Sequence, residues 1–179
     1  MSHGHVIWLF GMSGAGKSTL AVALQREILR MMSKRALMLD GDRLRVGLCR
    51  GLGFTDLDRD ENLRRAAEVA RLAVESGLIV IAAFITPHEI HRHFIRRIVG
   101  EPHLSLVYLA ATLEVCRKRD TKGLYARADT GGVALMSGID SRFDEPSQVD
   151  LQIDTSLSGV DDCLETLTDF VQQRLHRER

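Results

Sequence analysis

The chain has 179 residues and carries 24 Lys plus Arg against 24 Asp plus Glu, so it has no net field to gather a nucleic acid or a membrane surface. Any anion it binds must be held by a local cluster, and with only 5% aromatic residues it offers no stacking platform for single-stranded nucleic acid. Cys49, Cys116 and Cys163 are far apart, with no C-x-x-C pair, and read as reduced thiols of a cytoplasmic protein, while no apolar run approaches the roughly 20 residues of a membrane span.

The first predicted element is a buried strand over the unbroken apolar run Val6 to Phe10. It is followed by Gly11-Met12-Ser13-Gly14-Ala15-Gly16-Lys17-Ser18-Thr19, which matches G-x-x-x-x-G-K-[ST]. Three glycines let the backbone fold into a nest of inward N–H groups, and the helix predicted from Lys17 to about Ser33 adds its positive end. Lys17 then reaches the β- and γ-phosphates of a nucleotide, and the Ser18 hydroxyl is a ligand for Mg²⁺.

A second buried strand is predicted over Ala36 to Leu39, ending in Asp40-Gly41-Asp42 at the sheet edge where ligands bind in open α/β folds. Either carboxylate could help hold Mg²⁺ or accept a proton. The structural alternative is a turn at Asp40-Gly41 with Asp42 capping a helical piece from Arg43 to Leu48. After the irregular stretch Arg50 to Phe54, Thr55-Asp56-Leu57-Asp58 fits a capping box that opens a helix reaching Ser76, with Gly77 at its C-terminus. Leu63, Ala66, Ala67, Ala70, Leu72 and Ala73 keep its apolar stripe. Most of its charges read as a solvated face, but Arg59 and Asn62 share one face beside Phe54.

Leu78 to Phe84 is the strongest strand pattern, followed by Ile85-Thr86-Pro87 and a helix from near Pro87 to about Val99. Leu104 to Leu109 is a fourth strand, and Thr112 caps a helix ending in Arg117-Lys118-Arg119-Asp120. Periodicity fades over about 121–150, the length and position of a mobile lid. Leu151 to Asp154 is a final short strand, and Ser158 with Asp161 opens a last helix to about Gln173. Strands alternating with helices, without repeats or linkers, predict one α/β unit over residues 1–179: a five-stranded parallel sheet flanked by helices on both faces, the P-loop kinase fold with a lid.

Several separate segments resemble the adenylylsulfate kinases, which use ATP to phosphorylate the 3′-hydroxyl of adenosine 5′-phosphosulfate. Beside the glycine loop these are D-G-D-x-x-R-x-G-L at 40–48, L-G-F-[ST] at 52–55, R-x-E-N-[IL]-R-R at 59–65, Ala83-Phe-Ile-Thr-Pro87, Glu114-Val-Cys-Arg-Lys-Arg-Asp120, Lys122-Gly-Leu-Tyr125 and Ser137-Gly-Ile-Asp140. The resemblance implies ATP and Mg²⁺ as cofactors, with Ser18 and Asp40 as metal ligands and Lys17, Asp40, Asp42 and Arg119 as the catalytic set. It places Asp42 beside the acceptor hydroxyl, Arg45, Arg59 and Asn62 around the phosphosulfate, and Phe54 on the adenine. It adds Ile85, Thr86, Lys122, Gly123, Leu124 and Met136 to the substrate side, and Arg119 or Arg127 as a lid arginine.

Guanidinium forks suit a doubly anionic phosphosulfate, an aromatic face suits adenine, and a carboxylate suits a ribose hydroxyl. The chain departs from the family pattern in having Thr86 for serine, His88-Glu89 for Tyr-Arg, Ala126-Arg-Ala-Asp129 for a basic lid, Met136 for phenylalanine, and Arg142-Phe-Asp-Glu-Pro146 for P-Y-E-x-P. Thr86 keeps a hydroxyl able to accept phosphate. A kinase of another nucleotide-like or phosphorylated small molecule is the alternative reading, and a nucleotide-dependent switch is a third. Homodimerisation and association with a sulfurylase are left open.

Overall fold

Val6, Ile7, Trp8, Leu9 and Phe10 are all buried, and a strand buried on both faces belongs in the middle of a covered sheet. In the computed structural model, which describes residues 4–120, 123–129 and 143–177, β1 (His5–Phe10) takes that place. It pairs in parallel with β3 (Ile79–Phe84) on one side and β4 (Leu104–Ala110) on the other. β2 (Ala36–Asp40) and β5 (Leu151–Asp154) flank these, giving the parallel order β2-β3-β1-β4-β5 expected of the alternating pattern.

Alternation along β1 divides the core into two. Ile7 and Leu9 face α1 (Lys17–Met32) and α7 (Val160–Arg177), packing with Leu20, Leu24, Ile28, Leu167 and Val171. Val6, Trp8 and Phe10 face α3 (Asp56–Glu75) and α4 (Glu89–Val99), packing with Leu63, Ala66, Ala67, Ala70, Ile95 and Val99. The alanine stripe brings the α3 backbone close to the sheet, while Leu72, expected on that stripe, is left exposed. The shorter α2 (Gly41–Val46), α5 (Leu113–Arg119) and α6 (Leu124–Asp129) follow β2, β4 and α5 respectively. Among the described residues no helix is long and apolar enough to cross a membrane.

Several boundaries differ from the sequence expectation for local reasons. Leu78 is outside β3 because its N–H bonds to the Ala73 carbonyl while that of Gly77, at φ +77°, bonds to Val74, closing α3 in a Schellman motif. Helix α4 starts at Glu89, two residues after Pro87, since His88 is extended and its N–H is taken by His91 Nδ1. Helix α7 starts at Val160 and runs past Gln173 to Arg177; the side chain bonding back at its start is that of Asp162, to the Gly159 N–H. The segment expected to be irregular contains α6. The centre of the expected lid, residues 130–142, lies outside the described residues, as do Lys122 and Met136.

Leu24 is fully buried where α1 meets β1. Leu24→Ala is expected to cost about 2–5 kcal/mol through lost transfer energy and a cavity, measured as a lowered urea midpoint at unchanged m-value.

Candidate active site

The glycine loop leaves the C-terminal end of the central strand and enters α1. Gly14 stands at φ +82°, and a Cβ there would lie 2.8 Å from the Cys116 carbonyl, so both conformation and space call for glycine. At Gly11 a Cβ would lie 2.5 Å from the Leu109 carbonyl. Gly16 supplies the left-handed residue from which α1 starts. The Ala15 N–H crosses the loop to the Met12 carbonyl at 3.1 Å. The Lys17 ammonium donates to the carbonyls of Gly11 at 2.9 Å and Met12 at 2.6 Å, which places it over the loop. Ser13 is half-buried, and Ser18 and Thr19 are exposed at the first turn of α1.

Asp40 ends β2 beside this turn. Its Oδ2 accepts the Ser18 hydroxyl at 2.8 Å, and its Oδ1 accepts the N–H groups of Asp42 at 3.0 Å and Arg43 at 3.3 Å. Asp40, and not Asp42, is thus the N-cap, and α2 begins at Gly41 instead of Arg43. Asp42 is left exposed on the first turn. A hydroxyl and a carboxylate oxygen in hydrogen-bond contact form a hard-oxygen pair of the kind Mg²⁺ takes together with substrate phosphates. No group of three or more His, Cys, Asp or Glu among the described residues could hold a metal ion by itself.

On the other side of α2 a second cluster forms. Phe54 is half exposed, with the Arg45 guanidinium 4.8 Å and the Arg59 guanidinium 5.9 Å from its ring centroid. Arg45 is fixed by the carbonyls of Gly41 at 3.1 Å and Gly53 at 3.3 Å, and Arg59 by that of Phe54 at 2.9 Å. Burial lowers the pKa of both guanidinium groups, and Arg45 lowers that of Arg59 further. Asn62, one turn after Arg59, is buried, and its Oδ1 has no hydrogen-bond partner among the described residues. An orphaned acceptor beside two gathered cations marks a place built for a polar ligand.

Other predicted residues fall differently. The Ile85 carbonyl accepts the Gly11 N–H at 3.3 Å, joining the end of β3 to the loop. Thr86 is only 1% exposed, and its hydroxyl accepts the Trp8 indole N–H at 2.9 Å. Its side chain therefore serves the core as an acceptor. Gly123 and Leu124 start α6, where Leu124 packs against the cluster on the α1 side; Arg59 and Asn62 stand on α3, across the sheet. Arg119 is at the end of α5, donating to the Gly14 carbonyl at 3.3 Å and to Thr155.

Sequence reasoning missed Arg92. It is fully buried, with Nε and Nη2 on Glu89, Nη1 on the Thr86 carbonyl at 3.1 Å, Nη2 also on the Asp144 carbonyl at 3.0 Å, and its guanidinium 5.3 Å from the Phe10 ring centroid. It supports the Thr86 corner, where a β-branched residue holds φ +48°. The available signal was spacing: Arg92 lies on one helical stripe with the apolar Ile95 and Val99. His91 beside it is buried, accepts the His88 N–H at Nδ1, and meets Asp60 through Nε2 at 2.6 Å, so Nε2 carries the proton.

Burial lowers the pKa of His91 despite the opposing Asp60. A group whose folded pKa is depressed stabilises the fold above its unfolded pKa, and that contribution fades as pH falls below about 6.5. His91→Gln is expected to remove that part of the slope. The difference in unfolding free energy between parent and variant should change by no more than about 1.4 kcal/mol per pH unit between pH 7 and 5, read from urea titrations.

Comparison with known proteins gives one consistent result. A family model described as adenylylsulphate kinase matches residues 3–154. An adenylyl-sulfate kinase of Prochlorococcus marinus is 46% identical over 160 residues, 89% of this chain and 79% of the relative. One of Bacillus velezensis is 43% identical over 95% of this chain and 86% of its own. The solved structure of Mycobacterium tuberculosis APS kinase in complex with AMPPNP and APS superposes with a TM-score of 0.90 at 35% identity, covering 96% of this chain and 99% of that one.

Proposed function

The chain belongs to the adenylylsulphate kinase family, and on that premise we infer that it carries the γ-phosphoryl group of ATP to the 3′-hydroxyl of adenosine 5′-phosphosulfate, giving 3′-phosphoadenylylsulfate. It is a kinase of the P-loop fold. The observation that carries the acceptor assignment is the second cluster: two guanidinium groups at one aromatic ring, with an orphaned buried amide oxygen one turn along α3 from Arg59.

The roles follow from chemistry. The loop's N–H groups and Lys17 hold the β- and γ-phosphates, with Lys17 exchanging its contacts to Gly11 and Met12 for phosphate oxygens. Ser18 and Asp40 are the residues that would hold Mg²⁺, which when bound neutralises charge on the transferring phosphates. Asp42, exposed two residues from Asp40, orients the acceptor hydroxyl or takes its proton.

Arg45, Arg59 and Asn62 hold the phosphosulfate, and Phe54 stacks on adenine. Adenine on the ring face that Arg45 covers displaces that guanidinium, which is thereby freed for the phosphosulfate. Ile85, whose carbonyl accepts the Gly11 N–H, keeps the substrate role that the family resemblance gives it, as do Lys122 and Met136. We take residues 1–179 as one kinase unit working in the cytoplasm, in keeping with three buried, free thiols.

Incubation with ATP, Mg²⁺ and adenosine 5′-phosphosulfate is expected to yield 3′-phosphoadenylylsulfate; a well-folded protein that forms none would refute the assignment. Arg59→Ala is expected to raise KM for the sulfate nucleotide about tenfold or more while KM for ATP stays within a factor of two. Equal losses for both would place Arg59 elsewhere.

A further inference from the structure

The roles above use the glycine loop's N–H groups and leave its carbonyls unexplained. Three successive ones are each held by a side chain from a different element. The Tyr125 hydroxyl, on α6, donates to the Ser13 carbonyl at 2.9 Å. Arg119 Nη1, at the end of α5, donates to Gly14 at 3.3 Å. The Thr155 hydroxyl, just past β5, contacts Ala15 at 3.1 Å. Tyr125 is 2% and Thr155 4% exposed, so both hydroxyls act in the interior.

The Thr155 hydroxyl has two carbonyls in reach, Ala15 at 3.1 Å and Ala110 at 3.3 Å, and the Ala110 oxygen also accepts the Thr155 N–H at 2.8 Å. Arg119 Nη1 donates to the hydroxyl oxygen at 3.3 Å, and Nη2 donates to the Thr155 carbonyl. The hydroxyl therefore accepts from Arg119 and has one proton to give, for which the Ala15 carbonyl is the nearer acceptor. Tyr125 is seated as firmly: Asp120 accepts its N–H at 3.1 Å and that of Ala126 at 3.0 Å, fixing the start of α6.

A trans peptide is planar, so holding the carbonyl of one residue aims the N–H of the next in the opposite direction. The bonds to Ser13, Gly14 and Ala15 thus aim the N–H groups of Gly14, Ala15 and Gly16 away from the three side chains. The Ala15 N–H agrees, since it crosses the loop to Met12. We propose that Tyr125 and Thr155, the latter held by Arg119, are positioning residues for the phosphoryl donor: they aim the N–H groups of the phosphate nest from behind and set its affinity for ATP without touching the nucleotide. This rests on the reading of the loop as the ATP phosphate site.

Tyr125→Phe and Thr155→Val each delete a hydroxyl with little change in volume, and Thr155→Ser restores one. The measurements are Kd for the Mg²⁺ complex of a nonhydrolysable ATP analogue, KM and kcat for both substrates, and Tm. Each deletion is expected to raise the analogue Kd and KM for ATP about fivefold, the size of one lost hydrogen bond, with KM for adenosine 5′-phosphosulfate within a factor of two and Thr155→Ser close to parent. General loosening of the fold would lower Tm and kcat without that split. An analogue Kd within a factor of two of parent in both variants overturns the proposal, and so does equal weakening toward both substrates; if Thr155→Val does not fold, Tyr125→Phe decides alone. A parent that binds the analogue but does not phosphorylate adenosine 5′-phosphosulfate removes only the acceptor assignment, and the analogue Kd values then decide the positioning role. A parent that binds no ATP analogue removes both.

Discussion

The direction of a few peptide planes between Gly11 and Ser18 is the constraint on which the rest of the structure depends. Inward N–H groups bind an anion only if their carbonyls turn elsewhere, and this short loop meets only the first two of its carbonyls from within. In this chain Lys17 takes Gly11 and Met12, while Tyr125, Arg119 and Thr155 take Ser13, Gly14 and Ala15. Gly14 and Gly11 pass where a Cβ would strike the carbonyls of Cys116 and Leu109, so the loop lies directly on α5 and β4. An anion site made of backbone is in this way braced by much of the fold.

Placement of β1 at the centre of the sheet follows the same logic. The loop must leave a strand that does not move, and a strand paired on both sides and covered on both faces is the least mobile element available. Its neighbours deliver the remaining chemistry to the same edge: β2 ends at Asp40, β3 at the Ile85–Thr86 corner, and β4 leads into α5 and Arg119. Parallel strands bring these ends together because every crossover returns the chain to the same starting side.

Stability is given up locally around the site. Thr86 holds a left-handed backbone unfavourable to a β-branched side chain, and Arg92 is a fully buried cation. Each is tolerated because its polar atoms are met: Thr86 by Trp8 and Arg92, and Arg92 by Glu89 and two carbonyls. The Asn62 Oδ1 is not met among the described residues, and it lies one turn from Arg59, in the group proposed to hold the acceptor.

The sequence by itself determined the strand–loop–helix nest, the alternation that makes a five-stranded parallel sheet, the Thr55 and Thr112 caps, and the placing of Arg59 and Asn62 on one face beside Phe54. All of these rest on neighbours within a few turns, where periodicity and spacing are physical statements about one face or one loop. The competition between Asp40 and Asp42 for the cap was decided only in the fold, where β2 carries Asp40 to Ser18. The same holds for the buried hydroxyl of Thr86, met by a tryptophan 78 positions away, and for the brace behind the nest, whose partners stand 105 to 140 positions from the carbonyls they hold. A hydrogen bond between such distant groups leaves no period in the chain; it exists only once the sheet has set the ends of its strands side by side.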